Sequence, residues 1–256
     1  MGLFFLFLKM FLFSTTIDLF SSDWFLYNGL TIFLIAVLIF YLKKCSPKFI
    51  KKFNKILAIA FIFDFILFHL YTFLDGTWFL TESLPFHLCS LMWFNAIYLL
   101  VYQKQWSFEL MLFIGMPAAF HSLLTPQLNH GDSLFYIYDF FFSHGWLFAI
   151  SFYCIFVLNM RPRIHSWWNS FLKLQDIILL VFIVNFIINL YSFGYILPPF
   201  EYSETSNYMY LLSPPIAENP FVIGLWPNYL IGLLFATFLH SLIVYLPFYY
   251  YKTLKK

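Results

Sequence analysis

The residues of this sequence best suited to chemistry are scarce imidazole, carboxyl and thiol groups set in long apolar segments. His87 and Cys89 share one such segment, and Asp139 and His144 share another. An imidazole or a carboxylate can act as a general base, and a thiol can act as a nucleophile. Residues two or five positions apart diverge on a helix, so neither pair can meet within its own segment. We therefore predict that these four residues are catalytic and that they meet between helices.

The composition identifies the solvent of these segments as lipid. Apolar residues make up 62% of the 256 residues and charged residues only 10%, whereas roughly 25% of the residues of a globular protein are charged. A water-soluble chain of this composition would expose large apolar patches and aggregate. The net charge of +2 and the lack of a basic patch also argue against a nucleic-acid partner.

Seven continuous apolar stretches approach the ~20 residues that a helix needs to cross a bilayer. Continuous runs exclude the alternating pattern of transmembrane strands. We therefore predict an all-α fold, a single transmembrane domain over residues 1–256 built as a seven-helix bundle. The predicted spans lie near 24–42, 54–74, 83–102, 107–124, 134–158, 174–196 and 223–250. The shorter apolar segment Gly2–Phe13 is predicted to be an additional helix lying in the membrane interface.

The basic residues predict the orientation of the bundle. Thirteen of the 14 Lys and Arg residues fall on alternate loops and at the C-terminus, and the other three loops contain none. By the positive-inside rule, those basic segments face the cytoplasm. The N-terminus is therefore predicted to lie outside and the C-terminus inside.

With this topology, polar residues from six helices converge on the outer half of the bundle. Such residues are costly in a membrane and usually face the bundle interior or a cavity, so we predict a polar pocket that opens outward. The predicted pocket-lining residues are His69, His121, Asn185, Asn189, Asn207, Tyr208 and Asn228. His240 falls in the inner half, and the partner of Asp64 stays open. No intrahelical pair of histidines at i, i+4 is present, so neither a metal nor another cofactor is predicted.

Two segments border this predicted pocket. The sequence Glu82-Ser83-Leu84-Pro85 reads as a helix cap with proline in the first turn, which would place His87 just inside span 3. The connection at residues 197–222 is long, and six of the twelve prolines lie between Pro198 and Pro227. Long connections are often functional, and we predict that this one forms a lid over the pocket.

Several short motifs, in this order and spacing, resemble the YwaF-type family of bacterial integral membrane proteins. These motifs are Leu84-Pro85-Phe86-His87-Leu88-Cys89-Ser90, Thr125-Pro126, Ser143-His144-Gly145, Asn207-Tyr208-Met209-Tyr210-Leu211 and Pro214-Pro215. The resemblance implies kinship with eukaryotic transmembrane phospholipid acyltransferases, in which a cysteine directly precedes the span-3 histidine. That position is Phe86 here, and Cys89 follows His87 by two residues. The resemblance therefore carries over His87 and His144, but no nucleophile.

These features favour a lipid-modifying enzyme of the bacterial plasma membrane. We predict acyl transfer or ester hydrolysis on membrane phospholipids at the outer leaflet, with His87 or His144 as the base and Cys89, Ser90 or water as the nucleophile. The alternative is a small-solute transporter or receptor without catalytic activity. Gly115-Met116-Pro117 could break span 4 for that purpose, although seven spans do not divide into two equal repeats. A purely structural assembly partner is a third possibility.

Overall fold

The computed structural model describes residues 15–193, 205–215 and 221–253 of the chain. The predicted interfacial helix at Gly2–Phe13 lies outside these residues. The described elements are, in order, β1 (Thr15–Thr16), α1 (Ser22–Leu42), α2 (Pro47–Asp75), α3 (Leu88–Tyr102), α4 (Gln105–Leu110), a π-helical turn (Met111–Gly115), α5 (Met116–Leu124), β2 (Gln127–Leu128), α6 (Leu134–Phe156), α7 (Ser166–Phe193), a 3₁₀ turn (Tyr208–Tyr210) and α8 (Asn228–Thr253).

Large apolar side chains cover the outside of the long helices. Within the described residues, six helical segments are long and apolar enough to cross a membrane: α1, α2, the continuous segment Gln105–Leu124, α6, α7 and α8. Phe33, Phe63, Leu179 and Phe235, on four different helices, are each more than 60% exposed. Exposure of so much apolar surface is stable only in lipid. The predictions of an all-α fold and of a multi-pass membrane protein are confirmed.

The third predicted span is shorter than the sequence suggested. Helix α3 has 15 residues and begins at Leu88, with His87 in an extended conformation as its N-cap. Residues 83–87 are therefore not helical, and the prediction that Pro85 lies in the first turn is wrong. The physical reason is that other groups bind this segment: the Ser83 hydroxyl accepts from the Phe79 N–H, and the Tyr208 hydroxyl accepts from the Leu84 N–H.

The segment Gln105–Leu124 lies at the centre of the bundle and changes helix type midway. Its π-helical turn ends two residues before Pro117, which has no N–H to bond to the carbonyl of Phe113 as an α-helix requires. The Ser241 hydroxyl of α8 donates to that carbonyl instead, at 3.0 Å. A free carbonyl would be costly inside a membrane, so this bond ties the π-helical turn to α8.

Helix α1 packs closely against α6 and against the end of α5. A Cβ added at Gly145 would lie 2.5 Å from the Thr31 methyl group, so the close approach of α1 requires glycine there. The Trp24 indole donates to the Leu124 carbonyl, and the Asn28 amide donates to the Leu123 carbonyl. At the same end, β1 pairs antiparallel with β2, with Thr15 opposite Leu128.

At the opposite end of the bundle, two of the basic connections meet. The Arg163 guanidinium forms an ion pair with Glu109 at 2.7 Å, and the Gln105 amide donates to the Arg161 carbonyl. The Lys173 ammonium lies 5.1 Å from the centre of the Trp106 ring. The structure therefore brings the connections after spans 3 and 5 together, as expected for loops on one side of a membrane.

Candidate functional site

A cavity of about 530 Å³ lies among α2, α3, α5, α6, α7 and α8, and we call it the polar cavity. Six of the seven histidines of the chain line it, together with one thiol and three carboxyl groups. Among the described residues, no Lys or Arg belongs to the lining. The histidine, cysteine and carboxyl residues of the lining are Asp64, His69, Glu82, His87, Cys89, His121, His130, Asp139, His144 and His240, and two tyrosines, Tyr136 and Tyr210, join them. All four predicted catalytic residues therefore face one cavity.

Cys89 lies in the first turn of α3, at the wall of the polar cavity. The first N–H groups of any helix have no acceptor within that helix, and the side chain of the N-cap His87 does not cap them. Leu88, Cys89 and Ser90 all line the cavity. The Cys89 Sγ lies 3.7 Å from the Ser122 Oγ on α5. A thiol at a helix N-terminus, where partial positive charge gathers, is well placed to develop negative charge.

His144 faces the cavity with one ring nitrogen already engaged. Its Nδ1 lies 2.9 Å from the carbonyl oxygen of Phe140, one helical turn earlier on α6. A nitrogen that faces a carbonyl carries the proton, which leaves the Nε2 of a neutral ring as the acceptor. The ring also stacks on Phe140, with 4.2 Å between the centroids. His144 is therefore oriented by a main-chain carbonyl rather than by Asp139, and its Nε2 is ready to accept a proton.

His87 has the opposite arrangement of donors and acceptors. Its Nδ1 accepts from the N–H of Met209 at 3.4 Å, so in the neutral ring the proton is on Nε2. Tyr208 and Tyr210 enclose the ring, with centroids 5.2 and 5.5 Å away. Within the described part of the chain, no direct hydrogen bond joins His87, His144 and Asp139. The tautomers make His87 a donor and His144 an acceptor.

The described part of the predicted lid, residues 205–215, packs into the bundle. Asn185 accepts from the Tyr208 N–H at 2.8 Å and donates to the Tyr208 carbonyl at 2.9 Å. Asn189 holds Ser206 in the same two-sided manner. The Tyr208 hydroxyl donates to the Leu80 carbonyl at 2.7 Å and is fully buried. Phe221, near the end of the predicted lid, also lines the cavity, and residues 197–204 and 216–220 lie outside the described residues.

Five of the residues predicted to line the pocket do not line the polar cavity. Each amide of Asn185 and Asn189 is bonded to residues 205–215, and Asn207 closes the same segment through Leu212 and Ser213. Asn228 is the exposed first residue of α8. None of these, nor Tyr208, is among the residues lining the polar cavity; the segment contributes Met209, Tyr210 and Leu211 instead. Asn185, Asn189 and Asn207 thus position a wall of the cavity.

The two remaining residues predicted to line the pocket, His69 of α2 and His121 of α5, do line the cavity. The Nδ1 of His69 accepts from the Trp78 indole at 3.1 Å. Asp64 of α2 and Asp139 of α6 also line the cavity. His121 lies 3.3 Å from His240, Nε2 to Nε2. His240, which the sequence placed in the inner half, is thus in direct contact with a residue predicted for the outer half.

Sequence reasoning missed several lining residues. His130 and Glu82 lie in loops, where a polar residue is ordinary and gives no signal. The His130 Nδ1 lies 3.2 Å from the Thr77 carbonyl, and burial lowers the pKa of its ring to about 4. Burial raises the pKa of the Glu82 carboxyl to about 7. Ser122 could have been noticed because it follows His121 in an otherwise apolar span.

Residues 19–246, which contain every element that lines the polar cavity, match the model of the TMEM164 family. No curated protein and no solved structure matches the chain. The family match agrees with the apolar helices described above, which cross a membrane several times. Because the match extends over most of the sequence, this chain belongs to the TMEM164 family.

Proposed function

We propose that this chain is an integral membrane enzyme that cleaves fatty acyl esters of phospholipids at a cysteine. The acyl group then passes to a lipid hydroxyl or to water. One observation carries the proposal: Cys89 lies in the uncapped first turn of α3, in the same cavity as the Nε2 of His144. A nucleophile, a base and unpaired N–H donors are the groups that acyl transfer requires.

The chemistry follows from the donors and acceptors. Cys89 gives its thiol proton to the Nε2 of His144 while its sulfur attacks the ester carbonyl. The N–H groups of the first turn of α3 and the Nε2–H of His87 stabilise the resulting oxyanion. When this intermediate collapses, the ester C–O bond breaks and the leaving alkoxide takes the proton from His144. The acyl group remains on Cys89 as a thioester.

The apolar part of the polar cavity supports a lipid substrate. Side chains of α7 and α8 at this wall include Leu174, Ile178, Leu230 and Leu233, which are suited to a hydrocarbon tail. The predicted orientation, with the N-terminus outside, places the cavity in the outer half of a bacterial plasma membrane. The resemblance to YwaF-type proteins and to phospholipid acyltransferases supports the same reaction.

The test is lipid mass spectrometry of cells that overexpress the protein. We expect the wild type to change the phospholipid acyl profile and Cys89→Ala to lose that change, with a rate reduction of about 10⁴-fold or more for a lost nucleophile. His144→Gln should lose about 10²–10⁴-fold because the base is gone, and His87→Ala should weaken oxyanion stabilisation.

Cys45→Ala is the matched control, because Cys45 is a free cysteine that does not line the cavity. Its acyl profile should equal that of the wild type. A Cys89→Ala variant as active as the wild type, or a wild type that leaves the profile unchanged, would contradict the proposal.

Transport of a small solute is a second candidate, because the central span is interrupted where it meets the cavity. The π-helical turn and Pro117 are of the kind that forms binding sites in transporters, and Ile114, Pro117 and Ala118 line the cavity. Solute uptake into proteoliposomes that persists in Cys89→Ala would favour transport over acyl transfer.

A further inference from the structure

His121 and His240 form a direct imidazole pair at the wall of the polar cavity between α5 and α8. Their Nε2 atoms are 3.3 Å apart. The Nδ1 of His240 lies 2.6 Å from the Ala236 carbonyl, so this nitrogen carries the proton and the Nε2 of His240 is an acceptor. His121 must then donate through its own Nε2–H. The remaining nitrogen, the Nδ1 of His121, is left without a proton.

This arrangement makes the pair suited to receive a proton. If the Nδ1 of His121 takes one up, the ring becomes an imidazolium whose Nε2–H already points at a neutral imidazole acceptor. A hydrogen bond from a charged donor is about twice as strong as one between neutral groups. The neighbouring His240 therefore helps the cavity, whose described lining contains no Lys or Arg, to hold the positive charge.

The pair lines the same cavity as the thiol but lies on different helices from His144. Ser122, whose Oγ is 3.7 Å from the Cys89 sulfur, directly follows His121 on α5. The ring of Phe221 packs against both imidazoles at 5.7 Å. Leu233 and Leu234 line the adjacent cavity wall. The surroundings thus combine a proton acceptor with apolar surface, as a lipid that carries a hydroxyl group requires.

We infer that the histidine pair is the binding site and base for the acyl acceptor, which completes a two-base mechanism; this inference rests on the function proposed above. In the second half-reaction, the acceptor hydroxyl gives its proton to the Nδ1 of His121 while its oxygen attacks the thioester carbonyl. The C–S bond then breaks, and the Cys89 thiolate takes a proton from the pair. An ester and the free thiol are formed. His240 acts through His121 and is a positioning residue.

The experiment separates the two half-reactions in the full-length protein reconstituted in lipid nanodiscs. The donor probe is phosphatidylcholine with perdeuterated palmitoyl chains, and the acceptor probe is lysophosphatidylglycerol. Intact-protein mass spectrometry measures the hydroxylamine-sensitive thioester on Cys89, and lipid mass spectrometry measures transfer to the acceptor. In His121→Gln, we expect the thioester to form at the wild-type rate and to accumulate, while transfer falls by about 10²-fold or more.

A pair of variants at His240 distinguishes positioning from packing. His240→Gln retains a side-chain oxygen that can accept from His121, whereas His240→Leu cannot, so glutamine should partly restore transfer and leucine should let the thioester accumulate. His165→Gln is the control, because His165 is exposed and does not line the cavity. It should behave as the wild type.

The outcomes are distinguishable. A wild-type protein that never carries the thioester would contradict the proposed function itself. If the thioester forms and transfer in His121→Gln is unchanged, only the inference about the pair is overturned. It is equally overturned if both half-reactions slow together in His121→Gln, since that result indicates a structural role.

Discussion

Two regions of the bundle use polar side chains in opposite ways. At the end formed by the basic connections, Glu109 accepts from the Gln105 amide, from the Arg163 N–H and from the Arg163 guanidinium. In the polar cavity, His144 and His121 each engage one ring nitrogen with a protein partner and have an acceptor nitrogen to spare. Polar groups whose bonds are complete stabilise a fold, whereas spare acceptors can move protons.

The comparison predicts that substitutions in the two regions have separable effects. Removal of a group from a complete network leaves its partners unpaired and costs stability. Removal of an imidazole from the cavity costs activity and little stability. The asparagines of α7 belong to the first class, although they support a wall of the cavity.

The largest loss of stability is expected for Asn185→Leu. The substitution leaves the Tyr208 N–H, the Tyr208 carbonyl and the Ser206 hydroxyl without their partner in a buried region. We expect the free energy of unfolding to fall by about 3 kcal/mol, measured from the midpoint of SDS-induced unfolding in mixed micelles. Asn169→Leu, at an exposed position of the same helix, should leave the midpoint unchanged. Equal midpoints for the two variants would remove the structural role given to Asn185.

A smaller loss is expected for Glu109→Gln. The variant keeps the volume of the side chain but loses the charge that pairs with Arg163, whose side chain is 64% exposed and can turn to water. We therefore expect a loss of about 1–2 kcal/mol and unchanged acyl transfer. Asp176→Asn, at an exposed position on α7, is the control. If Glu109→Gln lost acyl transfer but kept the stability of the wild type, the structural role given to Glu109 would be contradicted.

A pH-dependent loss of stability is expected from the titration of Glu82. Burial raises the pKa of this carboxyl from 4.5 to about 7, so the folded state binds its proton more tightly than the unfolded state does. Stability from this group is complete below pH 4.5 and is lost as the pH rises through 7. We expect Glu82→Gln to remove this loss, so the variant should gain about 2–3 kcal/mol on the wild type between pH 5 and 8. Parallel pH profiles of the two proteins would refute this account.

The membrane class and the helices were predictable because lipid imposes a simple rule on composition and length. The four candidate residues of the cavity were also predictable, since carboxyl, imidazole and thiol groups are rare in spans. The hydrogen-bond partner of each polar side chain in a span was not predictable. Asn185 and Tyr153 are both polar residues within predicted spans, but their partners differ. Asn185 binds residues 205–215, whereas the Tyr153 hydroxyl donates to Asn54 on α2.

Tertiary contacts explain the other differences. The start of α3 depends on Tyr208, which lies more than a hundred residues later and bonds to Leu84. The contact between His121 and His240 depends on packing of α5 against α8, which no local pattern in either helix reveals. The loop residue His130 packs against Phe68 of α2 and Tyr136 of α6, and no local pattern in the sequence reveals these contacts.

The bond between the Ser241 hydroxyl and the Phe113 carbonyl has a consequence for how this family varies. Proline at position 117 creates the need for an outside donor, and serine at position 241 meets it. A homologue with another residue at position 117 would regain its own N–H and would no longer need a hydroxyl on α8. These two positions, distant in the chain, are therefore expected to covary.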